Sequence, residues 1–233
     1  GDSVLDIGCN DGLMLTFFPD TLARVGIDPA KNIDWSHLPK SIKIVNDYFP
    51  SGKLKNYKFK IITTTAMFYD LNDPNKAVQD IKKLLDKDGV VCIQVSYLYD
   101  TIKDMNFYDI CHEHLEYYSL KTLMYLMKRN DMEVFDASTN AVNGGSIRIM
   151  VAHKEAKRPK SDNLTYILLK EKVLHLEDPE TYKVFSKLIG MSAKRVRDYI
   201  KKQKGLVIGL GASTKGNVLL QLCKIDKKLL PFI

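Results

Sequence analysis

The run Ser3-Val4-Leu5-Asp6-Ile7-Gly8-Cys9-Asn10-Asp11-Gly12-Leu13-Met14 opens as a strand and closes as a helix. Ser3 to Gly8 is a short apolar segment, and Gly8 and Gly12 let the backbone turn sharply and approach a ligand closely. Leu13 to Leu22 then reads as a helix. A second strand, Arg24 to Asp28, ends in Gly26-Ile27-Asp28-Pro29, and Lys43 to Asn46 and the β-branched Lys60 to Thr64 supply two more. Asn72-Asp73-Pro74 has the form of a cap followed by proline. The helix it starts, Asp73 to Leu85, repeats apolar residues at Ala77, Val78, Ile81, Leu84 and Leu85. Asp88-Gly89 closes that helix, and the nearly all-apolar Val90 to Val95 is the mark of a strand covered on both faces. Strands alternating with helices imply βαβ crossovers, so the expected fold is α/β with a mainly parallel sheet.

Beyond Val95 the rhythm breaks. Tyr97 to Tyr118 is aromatic and acidic without a clean period, as a long functional insertion would be. Leu120 to Lys128 is helical. Met132 to Ala137 and Ser146 to His153 flank Asn143-Gly144-Gly145, which predicts an antiparallel hairpin at the sheet edge. Lys154 to Asn163 has the polarity of a linker. Two helical stretches follow, about Leu164 to Leu176 and Pro179 to Lys202. Gly205 to Gly209 then reads as a new strand, Gly211 as a turn and Lys215 to Cys223 as a helix. The implied division is 1–153, a linker with helices over 154–203, and 204–233 as the first βα unit of an incomplete second α/β domain.

With 45% hydrophobic and 27% charged residues among 233, the composition is that of a globular protein. No apolar run reaches 18 residues, so no membrane span is expected. The four cysteines stand far apart without a Cys-x-x-Cys pair, which points away from a disulfide scaffold or a zinc knuckle and toward a reducing, cytoplasmic setting. A net charge of +7 suits an anionic partner. The lysines are dispersed rather than gathered with aromatics on one element, so a phosphorylated small molecule is a better expectation than nucleic acid.

Asp28 lies twenty residues beyond Gly8, where an acid can accept hydrogen bonds from both hydroxyls of a ribose. A dinucleotide site calls for Gly-x-Gly-x-x-Gly, so that amides can hold a pyrophosphate. This loop has no such spacing. Its acids, Asp6 and Asp11, would repel a diphosphate but suit the cationic sulfonium and amino group of S-adenosylmethionine. Asp-x-Gly-x-Asn-x-Gly (Asp6, Gly8, Asn10, Gly12) with a downstream ribose acid resembles the signature of the class I methyltransferases, which have a Rossmann-like sheet with a terminal antiparallel hairpin. That resemblance places Pro29, Asp47 and Tyr48 near the ribose and adenine, and Thr65 beside the methionine part. Core packing explains Tyr48 and Phe49 equally well.

Asp109-Ile110-Cys111-His112-Glu113-His114-Leu115-Glu116-Tyr117-Tyr118-Ser119 carries two of the five histidines and follows the fifth strand, at the end of the sheet where ligands of open α/β folds collect. Three readings stand: a polar loop with hydrogen-bonded histidines, a metal site lacking a recognisable third ligand, and a general base, with Glu113 orienting His112 or His114. Asn143-Gly144-Gly145-Ser146-Ile147-Arg148 reads either as a hairpin connection with a solvated arginine or as part of a site.

Taken together, Asp109 to Ser119, Asn143 to Arg148, and Gly209-Leu210-Gly211-Ala212-Ser213-Thr214-Lys215-Gly216-Asn217 resemble the nucleotide-deoxysugar C-methyltransferases. These enzymes place a methyl branch on a keto sugar carried by a nucleoside diphosphate. The resemblance implies three parts: a cysteine-rich zinc domain, a methyltransferase domain, and a C-terminal α/β domain. The chain then corresponds to a fragment without the zinc domain and without most of the last one. It also implies that Glu113 and His114 are catalytic, and that Gly144, Gly145 and Arg148, with Asn143 and Tyr117, shape the sugar pocket. Lys215, Gly216 and Asn217 would approach the diphosphate. Two positions depart from the family: Cys111 stands where C-methylating members carry a tyrosine base, and Tyr69 where they tend to carry histidine. Enolate formation would then fall to His114. The rival readings are a sugar O-methyltransferase and a non-catalytic nucleotide-sugar binding module, with a nicotinamide oxidoreductase a distant third.

Overall fold

The computed structural model describes residues 2–211 and 213–232. Its elements run β1 (Ser3–Ile7), α1 (Leu13–Thr16), β2 (Ala23–Asp28), β3 (Ile42–Asn46), β4 (Phe59–Thr65), α2 (Pro74–Leu84), β5 (Leu85–Ser96) and α3 (Leu98–Lys103). They continue with α4 (Leu120–Arg129), β6 (Met132–Asn140), β7 (Ser146–His153), α5 (Asp162–Val173), α6 (Pro179–Lys201) and α7 (Thr214–Leu222).

The seven strands form one sheet in the order β3-β2-β1-β4-β5-β7-β6. β1 to β5 pair in parallel, and β7 enters antiparallel between β5 and β6. The order reverses between β1 and β4, the switch point at which open α/β sheets leave a crevice at the carboxyl ends of the strands. The predicted parallel sheet with its terminal hairpin is therefore the observed one. Val4, Leu5, Ile62, Val91, Ile93, Ile147, Ile149 and Val151 lie essentially out of water at the centre of the strands. Each such side chain contributes about 1.5–3 kcal/mol on burial.

Helices α2 and α4 form where local chemistry prescribes. Asp73 caps α2 by accepting the Lys76 N–H at 2.9 Å, Pro74 occupies the first turn, and Ala77, Val78, Ile81 and Leu84 bury one face. Ser119 and Thr122 cap α4 reciprocally, ahead of the buried Leu120, Leu123, Leu126 and Met127.

The contacts divide the chain differently from the sequence. One compact unit comprises the residues up to Tyr97 together with Glu116–Leu169; the other comprises Leu98–Leu115 and the residues from Lys170 onward. The segment expected to be an insertion in the first domain thus belongs to the second unit. The reason is its apolar residues: Ile102 and Phe107 share a core with Leu176 and Phe185, flanked by Leu98, Leu174, Ile189 and Leu219.

Three further expectations need correction. The helix read over Leu13 to Leu22 stops at Thr16, because Pro19 lacks the N–H a helix interior requires and its ring restricts the preceding residue. The polar stretch after His153 is not a free linker: the Ser161 N–H donates to Phe135 O at 2.9 Å, and Arg158 donates to Asp88 O at 2.7 Å. Gly205 to Gly209 has a bend at Gly205, forms no strand and joins no ladder among the described residues. One bond, from Gly209 N–H to Phe232 O at 2.8 Å, holds it, and Leu206 and Ile208 are exposed. A strand needs neighbours to satisfy its backbone. The helix that follows does form, as α7.

Candidate functional site

Carboxyl ends of β1, β2 and β4 gather the first group of candidate residues. Gly8 and Gly12 both adopt positive φ, +73° and +79°. A Cβ on Gly8 would meet Met67 Cγ at 2.7 Å, and one on Gly12 would meet Leu38 Cδ1 at 2.6 Å. The loop between them is pinned to β2: the N–H groups of Gly8 and Cys9 both donate to Ile27 O. Asn10, itself at φ +48°, donates its N–H to Asp28 Oδ2 at 2.9 Å and accepts from Trp35 Nε1 at 2.8 Å through its carbonyl.

Asp28 is thereby fixed from two sides, since Ala30 N–H donates to Oδ1 at 2.9 Å across Pro29. Each oxygen of an ionised carboxylate offers about two acceptor directions, so one direction per oxygen is left for a hydroxyl. A ribose diol fits that arrangement. Asn46 ties the ends of β2 and β3 together by donating to both Asp28 O and Ala30 O. Asp47 N–H then donates to Asp28 O at 3.1 Å, which brings Asp47 to the same corner. Its carboxylate accepts from Ser51 Oγ at 2.8 Å and faces Lys53, and these bonds hold its pKa below the usual value. Tyr48 is 76% exposed, which removes core packing as its explanation. Thr65 ends β4 opposite Gln94, half-buried.

Strand register sets the polarity of one sheet face. Asp6 lies beside Gly26 and Thr63, Thr63 beside Cys92, and Gln94 beside Arg148. Asp6 is 4% exposed and accepts from Thr63 Oγ1 at 2.6 Å. Burial pushes its carboxyl up to about 6, against the opposing pull of the Thr63 bond and with a further push from Asp28. Desolvation pushes the Cys9 thiol up to about 12, helped by the same two acids. Two acids converging here form an electrostatic well that a cation relieves and a diphosphate would worsen. The residues thus fit a cationic, ribose-bearing cofactor.

The remaining candidates of this unit frame the edge hairpin and the chain leading into α4. Asn143, Gly144 and Gly145 have φ of +57°, +87° and +125° in succession, which explains the glycine pair. Gly145 O accepts the Tyr97 N–H at 3.1 Å. Arg148 is exposed on β7. Tyr69 is buried, its carbonyl accepting the Glu116 N–H at 3.1 Å; Tyr117 is half-buried.

In the second unit, the His-Glu-His loop folds on its own carbonyls, with His114 N–H donating to Cys111 O at 3.2 Å. Glu113 Oε1 lies 3.8 Å from His112 Nε2, both side chains well exposed. Burial raises the Cys111 thiol, and a bond to the Glu113 side chain adds to the rise. A carboxylate that faces His114 is that of Asp109, at 3.7 Å from Nδ1. Lys215 Nζ stands 2.7 Å from the other Asp109 oxygen. Lys215 and Gly216 lie in the first turn of α7, where the Ser213 side chain accepts Gly216 N–H at 3.1 Å; Asn217 is exposed. Among the described residues no group of three or more His, Cys, Asp or Glu side chains is arranged to hold a metal ion.

Residues 1–137 match the family model described as a methyltransferase domain. The chain belongs to the methyltransferases. Residues 141–233 match a second model, the C-methyltransferase C-terminal domain. The C-methyltransferase NovU of Streptomyces niveus is 27% identical over 245 residues, an alignment that takes in the whole of this chain and 57% of NovU. A tRNA U34 carboxymethyltransferase of Campylobacter jejuni subsp. doylei is 35% identical over 107 residues, 42% of this chain and 36% of that protein. The chain thus spans little more than half the length of the first relative and about a third of the second. Among solved structures, the plantazolicin methyltransferase BpumL, in complex with a monoazolic desmethylPZN analog and SAH, superposes with a TM-score of 0.52 at 14% identity. That likeness covers 65% of this methyltransferase chain and 76% of BpumL. No helix among the described residues is long and apolar enough to cross a membrane.

Proposed function

We propose that this chain is the cofactor-binding and base-bearing part of an S-adenosylmethionine-dependent methyltransferase that acts at carbon on a nucleotide-linked keto sugar. The observation that carries the reading is the Asp28 carboxylate, anchored by Asn10 and Ala30 and standing with the buried Asp6 at the strand ends. The sugar half is supported by the three motifs from Asp109 to Ser119, Asn143 to Arg148 and Gly209 to Asn217; methylation at carbon is supported by the alignment with the C-methyltransferase NovU, which spans the chain.

S-adenosylmethionine, when bound, supplies an electrophilic methyl group on a sulfonium. Asp28 holds the ribose, the loop from Gly8 to Gly12 approaches the methionine part, and Asp6 answers its positive charge. Asp47 and Tyr48 flank the adenine, and Thr65 stands beside the methionine. For the acceptor, His114 takes a proton from the carbon next to the ketone, leaving an enolate whose carbon is nucleophilic. Tyr69, Tyr117, Asn143, Gly144, Gly145 and Arg148 are assigned to the sugar in the first unit. In the second unit Cys111 is assigned to the sugar, and Lys215, Gly216 and Asn217 to the diphosphate. The helix start at Ser213 offers amides to phosphate.

A second reading keeps the cofactor and changes the acceptor. Cys111 replaces the tyrosine of the family, and its thiol, raised by burial, is a poor base at neutral pH. A sugar hydroxyl, which needs deprotonation but no enolate, is the alternative acceptor. Calorimetry of S-adenosylmethionine with the full chain and with Asp28→Ala tests the cofactor; equal affinities would remove the assignment. Transfer of a 13C-methyl group to a panel of dTDP-, CDP- and GDP-linked keto sugars tests the acceptor. NMR then separates a C-methyl from an O-methyl product, and a panel without any labelled sugar would remove the sugar reading.

A further inference from the structure

The side chain of Asp109 is 3% exposed, at the end of a 3-10 turn (Phe107–Asp109). A carboxylate so deeply buried is costly unless cations or donors compensate it. Lys215 supplies the cation, and His114 stands near the second oxygen. Lys215 Nζ lies 2.7 Å from Oδ1, and His114 Nδ1 lies 3.7 Å from Oδ2. The Lys215 ammonium is also 5.7 Å from the centre of the Tyr108 ring, a cation–π distance. Lys215 is thus engaged on two sides by consecutive residues of one turn.

We propose that Asp109 is the positioning residue of His114, and that Lys215 fixes Asp109 in turn. This rests on the reading of His114 as the base. Lys215 approaches Oδ1 as an ion pair without hydrogen-bond geometry, and Oδ2 is the oxygen that faces the imidazole. A carboxylate opposite Nδ1 keeps the ring proton there and leaves the Nε2 lone pair to accept a proton from substrate. The separation of 3.7 Å is slightly beyond a hydrogen bond and closes by less than one ångström of side-chain movement, as catalytic contacts commonly do when substrate arrives. Glu113, whose carboxylate stands by His112 and Cys111, is not needed for that task. The proposal also accounts for the dependence of one motif on the other: the lysine of α7 neutralises the acid that orients the histidine.

The test uses the full chain labelled with 15N-histidine, in mildly alkaline buffer, with the His114 signals assigned from their loss in His114→Gln. Wild-type protein is expected to carry the His114 proton on Nδ1. Asp109→Asn should move it to Nε2, and should lower kcat for methyl transfer to the keto-sugar panel about 100-fold while leaving the KM for S-adenosylmethionine unchanged. Lys215→Met leaves a buried acid without its cation and should lower the melting temperature. The double variant Asp109→Asn/Lys215→Met removes both charges, so it should melt near wild type and still show the Nε2 tautomer. A wild-type tautomer in Asp109→Asn and in the double variant, or a kcat within about threefold of wild type, overturns the proposal. If no sugar of the panel is methylated by wild type, the functional reading fails, while the tautomer shift still decides the role of Asp109.

Discussion

The backbone N–H of Asn10 donates to Oδ2 of Asp28 at 2.9 Å, so the glycine loop of β1 and the acid of β2 are a single piece. Asp28→Ala should therefore do two things at once. On the proposed assignment it removes acceptors for both ribose hydroxyls, weakening S-adenosylmethionine roughly 100-fold, as two bonds to a charged group imply. It also strands the Asn10 and Ala30 amides, lowering stability by about 1–3 kcal/mol. Calorimetry and urea unfolding read the two effects separately; a loss of affinity without a loss of stability would contradict the coupling.

Asp6 predicts a pH dependence of definite sign. Its folded-state pKa, pushed by burial to about 6, exceeds the ordinary 3.8. The folded chain therefore holds a proton that the unfolded chain releases, and this residue's contribution to stability falls as pH rises from about 4 through 6. The shift corresponds to at most about 3 kcal/mol. Asp6→Asn should unfold with a flatter pH profile, gaining on wild type between about pH 4 and 6 and keeping that gain above it. Affinity for the cationic cofactor should run the opposite way in wild type, tightening as Asp6 ionises, and that trend should vanish in Asp6→Asn. Parallel profiles for the two proteins would refute the assignment.

The two loop glycines should not tolerate alanine equally. Both substitutions carry the strain of positive φ, about 1–2 kcal/mol. At Gly12 the obstacle is the tip of Leu38, which can rotate, whereas at Gly8 it is Met67 Cγ, close to the backbone of its own residue. Gly8→Ala should therefore be the less stable protein in denaturant titrations and the weaker cofactor binder; the reverse order would show that Leu38 is the more rigid neighbour.

Removing the imidazole should separate chemistry from binding. His114→Ala is expected to lose about 10²- to 10⁴-fold in turnover and to bind S-adenosylmethionine as wild type does. Glu113→Gln should cost much less, because its carboxylate stands by His112 and Cys111. Single-turnover rates on the sugar panel distinguish the two, and full activity in His114→Ala would end its role as base.

Thiol chemistry offers an independent check on burial. Cys9 is buried, with its thiol pushed up to about 12, so it should resist a disulfide reagent until the chain unfolds. Half-buried Cys111, in an irregular loop, should react ahead of it, and Cys111→Ser should erase the fast phase.

The sheet was legible because its cues are local: an apolar run, a glycine turn and an acid at Asp28 recur within thirty residues. Errors arose where the outcome depends on distant partners or on one overlooked residue. α1 ends at Thr16, three residues ahead of Pro19. Ile102 and Phe107 look like loop residues in an aperiodic stretch, since the Leu176 and Phe185 that bury them come some seventy residues later. Leu206 and Ile208 have the composition of a strand, yet no described segment pairs with them. Asp109 is not legible in the sequence for the same reason. Nothing in its neighbourhood distinguishes it from other loop acids until Lys215, more than a hundred positions away, is seen beside it.

Tyr97 and Tyr118 form an isolated parallel bridge, and Tyr97 is bonded in addition to Gly145 in the hairpin turn. The polypeptide consequently departs from the sheet and rejoins it at one stitched doorway. Between those tyrosines the chain answers to another core, that of Ile102, Phe107, Leu176 and Phe185, so the register of the strands does not depend on it. The strand ends that carry Asp6 and Asp28 are thereby insulated from whatever changes in that excursion.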